Sequence, residues 1–224
     1  NFMCGAPRIF EKVRAAVMLA SPHRGLQGRI ARWAFAVGRA SREYRLADRR
    51  LPPAMGLAYS VADRLVFSKL KERVGGNIEF FVSGSAKLSS QVQAWFYSAG
   101  LVVVEGYGLT ETGAVTCVNL PLPPRFGTVG PALAGTEVKI AADGEILVKG
   151  PAVMRGYHND PERTAEVLVD GWFHTGDIGR MDEDGFLTIT DRKKDLIKTS
   201  GGKYVAPQPI EKQLQDIDVV GHAV

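Results

Sequence analysis

A helix flanked by two short apolar strands is the feature that most constrains the fold of this chain. Residues 78–82 and 101–104 have the nearly unbroken apolar pattern of strands that are buried on both faces. Residues 88–99, between them, read as a helix. A strand–helix–strand order predicts parallel strands joined by a helical crossover, so the sequence indicates the α/β class. Ligands of such sheets bind beyond the carboxyl ends of the strands.

The pattern changes after about residue 115, where the apolar runs become short and turns become frequent. Short strands are predicted at 138–140, 145–148 and 186–189. The sequences at 142–144 and 182–185 are rich in Asp and Gly, as is typical of hairpin turns. The sequence therefore predicts an antiparallel, barrel-like subdomain attached to the α/β layer.

Helices are predicted before the first strand, and this part of the chain is basic. Their ranges are 7–20, 26–50 and about 57–73. Residues 1–80 contain 15 Lys/Arg against 6 Asp/Glu, whereas residues 81–224 contain 13 against 18. A basic half fits a solvated face, and it also fits an anionic partner. No motif indicates nucleic-acid binding, so nucleic acid is not expected as a partner.

The second helix leaves two interpretations open. Arg29, Arg32 and Arg39 provide positive charge, and Trp33 and Phe35 provide aromatic rings. Interfacial helices combine such a basic face with Trp or Phe, so contact with an anionic membrane surface is one interpretation. A surface helix packed on the rest of the fold is the other.

Membrane-spanning proteins and proteins with a signal peptide are two further classes that this sequence does not match. No apolar stretch approaches the roughly 18–20 residues that span a bilayer, and the start of the chain lacks the pattern of a signal peptide. Cys4 and Cys117 lie far apart, and no Cys or His stands at metal-ligand spacing. A disulfide framework or a zinc site is therefore not expected, and a reducing compartment is predicted.

The loop after the second strand carries the first candidate site, Tyr107-Gly108-Leu109-Thr110-Glu111. Glycine lets the backbone approach a ligand closely, and the ring of Tyr107 offers a stacking face. The hydroxyl of Thr110 and the carboxylate of Glu111 suit a phosphate oxygen and Mg²⁺ respectively. An ordinary glycine-rich loop with a capping Thr is the alternative.

A second candidate site joins Asp177 to Arg192. An Asp in a Gly-flanked turn can accept two hydrogen bonds from a ribose diol, although such an Asp often only caps the turn. Arg192 follows 15 residues later, directly after a predicted strand. Arginine binds hydroxyls or phosphate, whereas a solvated charge run is the alternative.

Five segments in order resemble motifs of the adenylate-forming superfamily, which includes acyl-CoA synthetases, luciferases and peptide-synthetase adenylation domains. These segments are 84–86, 107–111, 150–157, 175–177 and 191–195. The sequence 191–198 is similar to that of the long-chain acyl-CoA synthetase branch. The resemblance implies the C-terminal part of a large AMP-binding domain at 1–190, with a parallel α/β layer and the barrel-like subdomain. It also implies a hinge at 191–195 and the start of a small α+β domain at 196–224.

The resemblance also implies a reaction and its residues. A fatty acid is activated by ATP and Mg²⁺ to an acyl-adenylate, and the acyl group passes to coenzyme A. Thr110, Glu111 and Arg192 are the implied catalytic residues. The implied contacts are Gly84, Ser85, Ala86, Tyr107 and Ile189 for adenine, Asp177 and Arg192 for ribose, Thr110 for the α-phosphate, and Glu111 for Mg²⁺. Gly108 is a further implied cofactor-binding residue. The implied hinge residues are Asp191, Arg192 and Lys193, and the implied residues near the pantetheine path are Gly201 and Gly202.

The sequence departs from the superfamily at both ends. The phosphate-binding loop that ends in Pro-Lys-Gly is not found before residue 78, and the adenylation Lys is expected beyond residue 224. We therefore expect an internal fragment that is inactive alone. Two alternatives stay open: a fatty acyl-AMP ligase that loads a carrier protein, and a truncated, non-catalytic nucleotide-binding product. The expected location is the cytoplasm or the inner face of a membrane.

Overall fold

The computed structural model describes residues 1–20, 25–198, 204–205, 207, 210–211 and 214. The chain forms two compact units. The first contains Asn1–Glu105 and Leu120–Gly127, and the second contains Gly106–Asn119 and the described part of Thr128–Val224. Each unit is described by itself.

Helices make up most of the first unit. They are α1 (Pro7–Ala20), α2 (Gly25–Leu46), α3 (Pro53–Ala62), α4 (Ser68–Arg73) and α5 (Ser90–Ser98), with a π-helical turn at Asp63–Phe67 between α3 and α4. The three helical regions predicted before the first strand are confirmed, with shifted bounds for the second and third. The third begins at Pro53 rather than near residue 57, because the first turn of a helix needs no donor from proline.

A parallel sheet forms the other layer of the first unit. Its strands are β1 (Phe2–Gly5), β2 (Phe80–Ser83) and β3 (Val102–Tyr107). The last two residues of β3, Gly106 and Tyr107, belong to the second unit. β1 pairs in parallel with β2, and β2 pairs in parallel with β3. The predicted strand–helix–strand unit is thus confirmed, whereas β1 is a strand that the sequence pattern does not predict.

The core of the first unit lies between these helices and the sheet. Phe10, Phe67 and Phe96 are almost completely buried there. Burial of one such side chain contributes about 1.5–3 kcal/mol. The predicted helix–sheet layer is therefore held by an aromatic core.

The second unit is mainly antiparallel. Its elements are β4 (Cys117–Val118), β5 (Glu137–Ile140), β6 (Glu145–Lys149), α6 (Pro161–Val167), β7 (Leu168–Val169), β8 (Trp172–Met181), β9 (Leu187–Arg192), β10 (Ile197–Lys198) and β11 (Tyr204–Val205). The five-stranded sheet has the order β5-β6-β8-β7, and β9 also pairs with β8. β4 pairs with the end of β3, and β10 pairs with β11.

The predicted fold class is confirmed by this arrangement of a parallel α/β layer and an antiparallel subdomain. Both predicted hairpin turns are also confirmed, since β5–β6 and β8–β9 are antiparallel neighbours. The domain bounds at 190 and 195 stay predictions. Among the described helices, none combines the length and apolarity that crossing a bilayer requires.

Candidate active site

The segment that carries Asp177 is a strand, not the turn that the sequence predicts. β8 runs through it from Trp172 to Met181. The pairing with β6 shifts there, because Leu147 faces His174 while Glu145 faces Ile178. One residue of β6 therefore opposes three residues of β8, so 175–177 form a bulge. Bulges re-aim side chains and are frequent next to active sites.

The carboxylate of Asp177 is buried and held on both oxygens. The Tyr107 hydroxyl donates to Oδ2 at 2.7 Å, and Nε of Arg192 lies 3.4 Å from Oδ1. Asp177 itself is only 5% exposed. The structure thus brings together three residues that the sequence places in three separate motifs.

Burial has the largest effect on the pKa values of Asp177 and Tyr107. It raises the pKa of Asp177 above its ordinary value, although the Tyr107 hydrogen bond and the Arg192 charge oppose the shift. Burial, followed by the charge of Asp177, also raises the pKa of Tyr107. The phenol therefore keeps its proton and acts as a donor to the carboxylate.

A basic pocket adjoins the bulge. Its volume is about 400 Å³, and its lining consists of Thr175, Gly176, Arg192, Lys193 and Lys194. Small-molecule sites typically measure about 300–1,000 Å³. Three cationic side chains suit an anionic group such as phosphate.

The second motif forms a short 3₁₀ turn, Thr110–Thr112, just after β3. Thr110 is exposed, and the Glu111 carboxylate accepts a hydrogen bond of 3.0 Å from the Tyr157 hydroxyl. The Met154 amide also donates to the Glu111 carbonyl at 2.7 Å. The segment 150–157 therefore supports this turn, a role that sequence reasoning did not assign to Tyr157.

A magnesium ligand at Glu111 stays a prediction. Within the described residues, no group of three or more His, Cys, Asp or Glu side chains could hold a metal ion. A Mg²⁺ site that uses substrate phosphates needs only one or two protein carboxylates. The single carboxylate of Glu111 is compatible with that kind of site.

The other residues that were predicted to bind the nucleotide lie on several different elements. Gly84, Ser85 and Ala86 follow β2 in the first unit, where the Gly84 amide donates to the Gly5 carbonyl at 3.1 Å. Ile189 lies on β9 of the second unit and packs against its core. Gly108 lies between β3 and the Thr110 turn. The nucleotide-binding roles of these residues stay predictions.

The predicted hinge at 191–195 begins within the paired strands β8 and β9. Asp191 and Arg192 end β9, where they pair with Ile178 and Asp177. Lys193 follows in a 3₁₀ turn, Lys193–Asp195. Hinge motion stays a prediction, and Gly201 and Gly202 lie outside the described residues.

Comparison with known proteins identifies the family. The sequence model of the AMP-binding enzyme family matches residues 1–158. This chain belongs to that family. The predicted resemblance to adenylate-forming enzymes is therefore confirmed.

Named relatives place this AMP-binding chain near acyl-CoA synthetases. It is 42% identical to the long-chain-fatty-acid–CoA ligase FadD15 of Mycobacterium bovis, over 97% of this chain and 36% of that protein. It is 33% identical to the long chain acyl-CoA synthetase 4 of Arabidopsis thaliana, over 98% of this chain and 34% of that protein. The chain thus spans about a third of the length of these curated relatives.

Solved structures support the same family. O-succinylbenzoate coenzyme A synthetase (MenE) of Bacillus subtilis, solved in complex with AMP, is 29% identical and superimposes with a TM-score of 0.62. The match covers 71% of this chain and 36% of that one. The fold of this AMP-binding chain is therefore one that carries AMP in a relative.

Proposed function

We propose that the gene product containing this chain uses ATP to activate a long-chain fatty acid and passes the acyl group to coenzyme A. The observation that carries the proposal is the buried Asp177 carboxylate, held between Tyr107 and Arg192. The names of the two relatives supply the substrate class.

Asp177 fits a ribose diol because its oxygens are only partly used. An ionised carboxylate offers about four acceptor positions. The Tyr107 hydroxyl occupies one as a donor, and the Arg192 guanidinium forms an ion pair beside the other oxygen. The remaining positions can accept hydrogen bonds from the two ribose hydroxyls, so both carboxylate partners orient the group that binds the nucleotide.

The phosphate end of ATP would meet the exposed Thr110 hydroxyl and the cations of the basic pocket. A fatty-acid carboxylate oxygen attacks the α-phosphorus, and pyrophosphate leaves with the electrons of the broken P–O bond. Mg²⁺, held by Glu111, would neutralise phosphate charge when bound. The contribution of this chain is to position the phosphates and to match their charge.

The second half of the reaction transfers the acyl group. The thiol sulfur of coenzyme A attacks the acyl carbon of the adenylate and loses its proton to solvent, and AMP leaves with the electrons of the broken acyl C–O bond. We propose that the hinge at Asp191, Arg192 and Lys193 exchanges the two active-site faces between these steps.

An assay of the gene product tests this function. With ATP, Mg²⁺, coenzyme A and a long-chain fatty acid, we expect acyl-CoA, AMP and pyrophosphate in equal amounts. Acetate in place of the fatty acid should give no thioester, because a two-carbon acid cannot fill a site for a long chain.

Other outcomes of the same assay contradict the proposal. Pyrophosphate exchange without acyl-CoA, together with transfer to a phosphopantetheinylated carrier protein, would indicate an acyl-AMP ligase. No heat on titration with AMP would indicate a product that does not bind the nucleotide.

A second proposal concerns the α1–α2 region of the first unit. Met18, Leu19, Leu26 and Trp33 are exposed there, with exposed fractions of 41–80%. Arg29, Arg32 and Arg39 are exposed on α2. Apolar side chains beside arginines fit the surface of an anionic membrane, where fatty acids partition, and a location at the inner face of the membrane follows from this proposal.

Flotation with liposomes tests the membrane proposal. Vesicles rich in phosphatidylserine should carry the protein upward, and replacing Arg29, Arg32 and Arg39 with Glu should reduce the bound fraction at least about tenfold. A surface charge contributes roughly 1 kcal/mol near such a membrane, so three reversals suffice for this loss.

The matched control reverses three exposed charges elsewhere in the first unit, Arg64, Lys69 and Arg73. This variant has the same net charge as the α2 variant, and we expect it to float like the unaltered protein. Equal loss in both variants would mean that net charge, not α2, determines binding.

A further inference from the structure

The bulge in β8 disturbs backbone hydrogen bonds, and side chains replace them. Oε1 of Glu145, at the start of β6, accepts the Gly176 amide at 2.9 Å. The Thr175 hydroxyl donates to the Ile146 carbonyl at 2.7 Å and accepts the Asp177 amide at 3.1 Å. A buried amide without a partner destabilises the fold. These bonds therefore fix the backbone from which the Asp177 side chain projects.

The second oxygen of Glu145 faces the segment that follows β9. Its Oε2 lies 2.8 Å from Nζ of Lys193 and 3.2 Å from Nδ1 of His174. Lys193 also lies 2.8 Å from Oδ2 of Asp143, in the turn between β5 and β6. One carboxylate thus contacts both the bulge and the residue next to Arg192.

This carboxylate is nearly inaccessible to solvent, with Glu145 only 4% exposed. Burial raises the pKa of Glu145, but the bonds from Lys193, Gly176 and His174 outweigh it and leave the pKa below its ordinary value. Bonds to Asp143 and Glu145 raise the pKa of Lys193. Glu145 and Lys193 are therefore both charged near neutral pH. The Glu145 side of their ion pair is buried, whereas Lys193 is partly exposed to solvent.

We propose that Glu145 is a positioning residue that holds Asp177 and Arg192 in the geometry that binds the nucleotide, and that its ion pair with Lys193 ties the hinge segment to the bulge. The inference rests on the proposed function, since it concerns the same nucleotide site. Glu145 acts through the Gly176 amide on one side and through Lys193 on the other. Rotation about the hinge would have to break the Lys193 contact.

Replacing Glu145 with glutamine tests whether its charge and hydrogen bonds matter, because the volume of the side chain stays the same. Glutamine has the same shape, and its one oxygen can still accept the Gly176 amide. Its amide group then faces Lys193 and the His174 ring, and a donor cannot accept from Lys193. We expect the Kd for AMP to rise about tenfold, which corresponds to about 1.4 kcal/mol.

The experiment measures AMP binding calorimetrically, and the KM for ATP and kcat, in the gene product. Two controls accompany Glu145→Gln. Glu137→Gln makes the same change at an exposed position of the neighbouring strand β5, and should leave Kd unchanged. Ile146→Val removes one methylene from the buried core beside Glu145, which lowers stability without touching the site, and should also leave Kd within twofold.

A double-mutant cycle tests the link to the hinge. Lys193→Met should raise Kd about threefold, because the bond to Gly176 remains. The double variant should lose less affinity than the product of the two single losses, since both changes remove one shared ion pair, while the place of Lys193 in the pocket lining adds a part of its own. Independent, multiplied effects would overturn the coupling.

The remaining outcomes are also decisive. An unchanged Kd in Glu145→Gln, or a loss in Ile146→Val of equal size, would reduce Glu145 to a stabilising residue and overturn the inference. Failure of the unaltered protein to bind AMP would overturn the proposed function as well, so the two failures are distinguishable.

Discussion

Replacing Asp177 with asparagine should weaken AMP binding about thirtyfold. Asparagine keeps the size of the side chain but has one acceptor oxygen and a donor amide. Tyr107 and Arg192 both present donors to this position, so the new amide would oppose one of them and remove an acceptor for the ribose. Hydrogen bonds to charged groups contribute roughly 1.5–3 kcal/mol, which corresponds to the expected loss. Calorimetric titration with AMP measures it.

Two variants show which part of the site is responsible. Asp170→Asn is the matched control, because Asp170 is an exposed Asp just before β8, and it should bind AMP normally. Tyr107→Phe keeps the ring and removes only the donor to Asp177, so adenine stacking is retained while the carboxylate loses one anchor. We expect a smaller loss, about fivefold, from one missing hydrogen bond. Normal affinity in Asp177→Asn would contradict the ribose role.

Local patterns account for the parts of the fold that could be predicted. The two strands that flank the predicted helix at 88–99 follow from nearly unbroken apolar runs, and the hairpins at 142–144 and 182–185 follow from Asp and Gly. β1 could not be found this way. It has four residues, and its partner β2 lies more than seventy positions further along the chain. Only tertiary pairing makes this segment a strand.

The site was found as separate motifs, but its contacts were not. Tyr107 and Asp177 are 70 residues apart, and Glu111 and Tyr157 are 46 apart, so no local pattern joins them. Gly176 made a turn the natural prediction at Asp177. The strand tolerates Gly176 because it lies in the bulge at φ +71°, where a glycine in the left-handed region is typical. The glycine correctly indicated a backbone irregularity, but the prediction of a turn was wrong, because the irregularity is a bulge within a strand.

Replacing Gly130 with alanine should destabilise the second unit by about 4 kcal/mol, which is a loss that few single substitutions cause. Gly130 lies between β4 and β9. Its carbonyl accepts the Leu187 amide at 3.0 Å. A Cβ at this position would come within 2.2 Å of the Val118 carbonyl oxygen and 2.3 Å of the Asn119 Cα. These atoms belong to backbone, so the clash cannot be relieved by a change of rotamer.

Gly135 provides a control that isolates this clash from backbone strain. Its φ is +81° against +83° for Gly130, and no atom lies within 4 Å of the position that a Cβ would take. Gly135→Ala should therefore cost only the left-handed penalty, about 1–2 kcal/mol. Urea unfolding, with hydrogen–deuterium exchange of β6 peptides to report on the second unit, measures both variants. Equal losses would mean that the strands separate easily at Gly130, whereas a larger loss at Gly130 means that the β4–β9 approach requires a residue without a side chain.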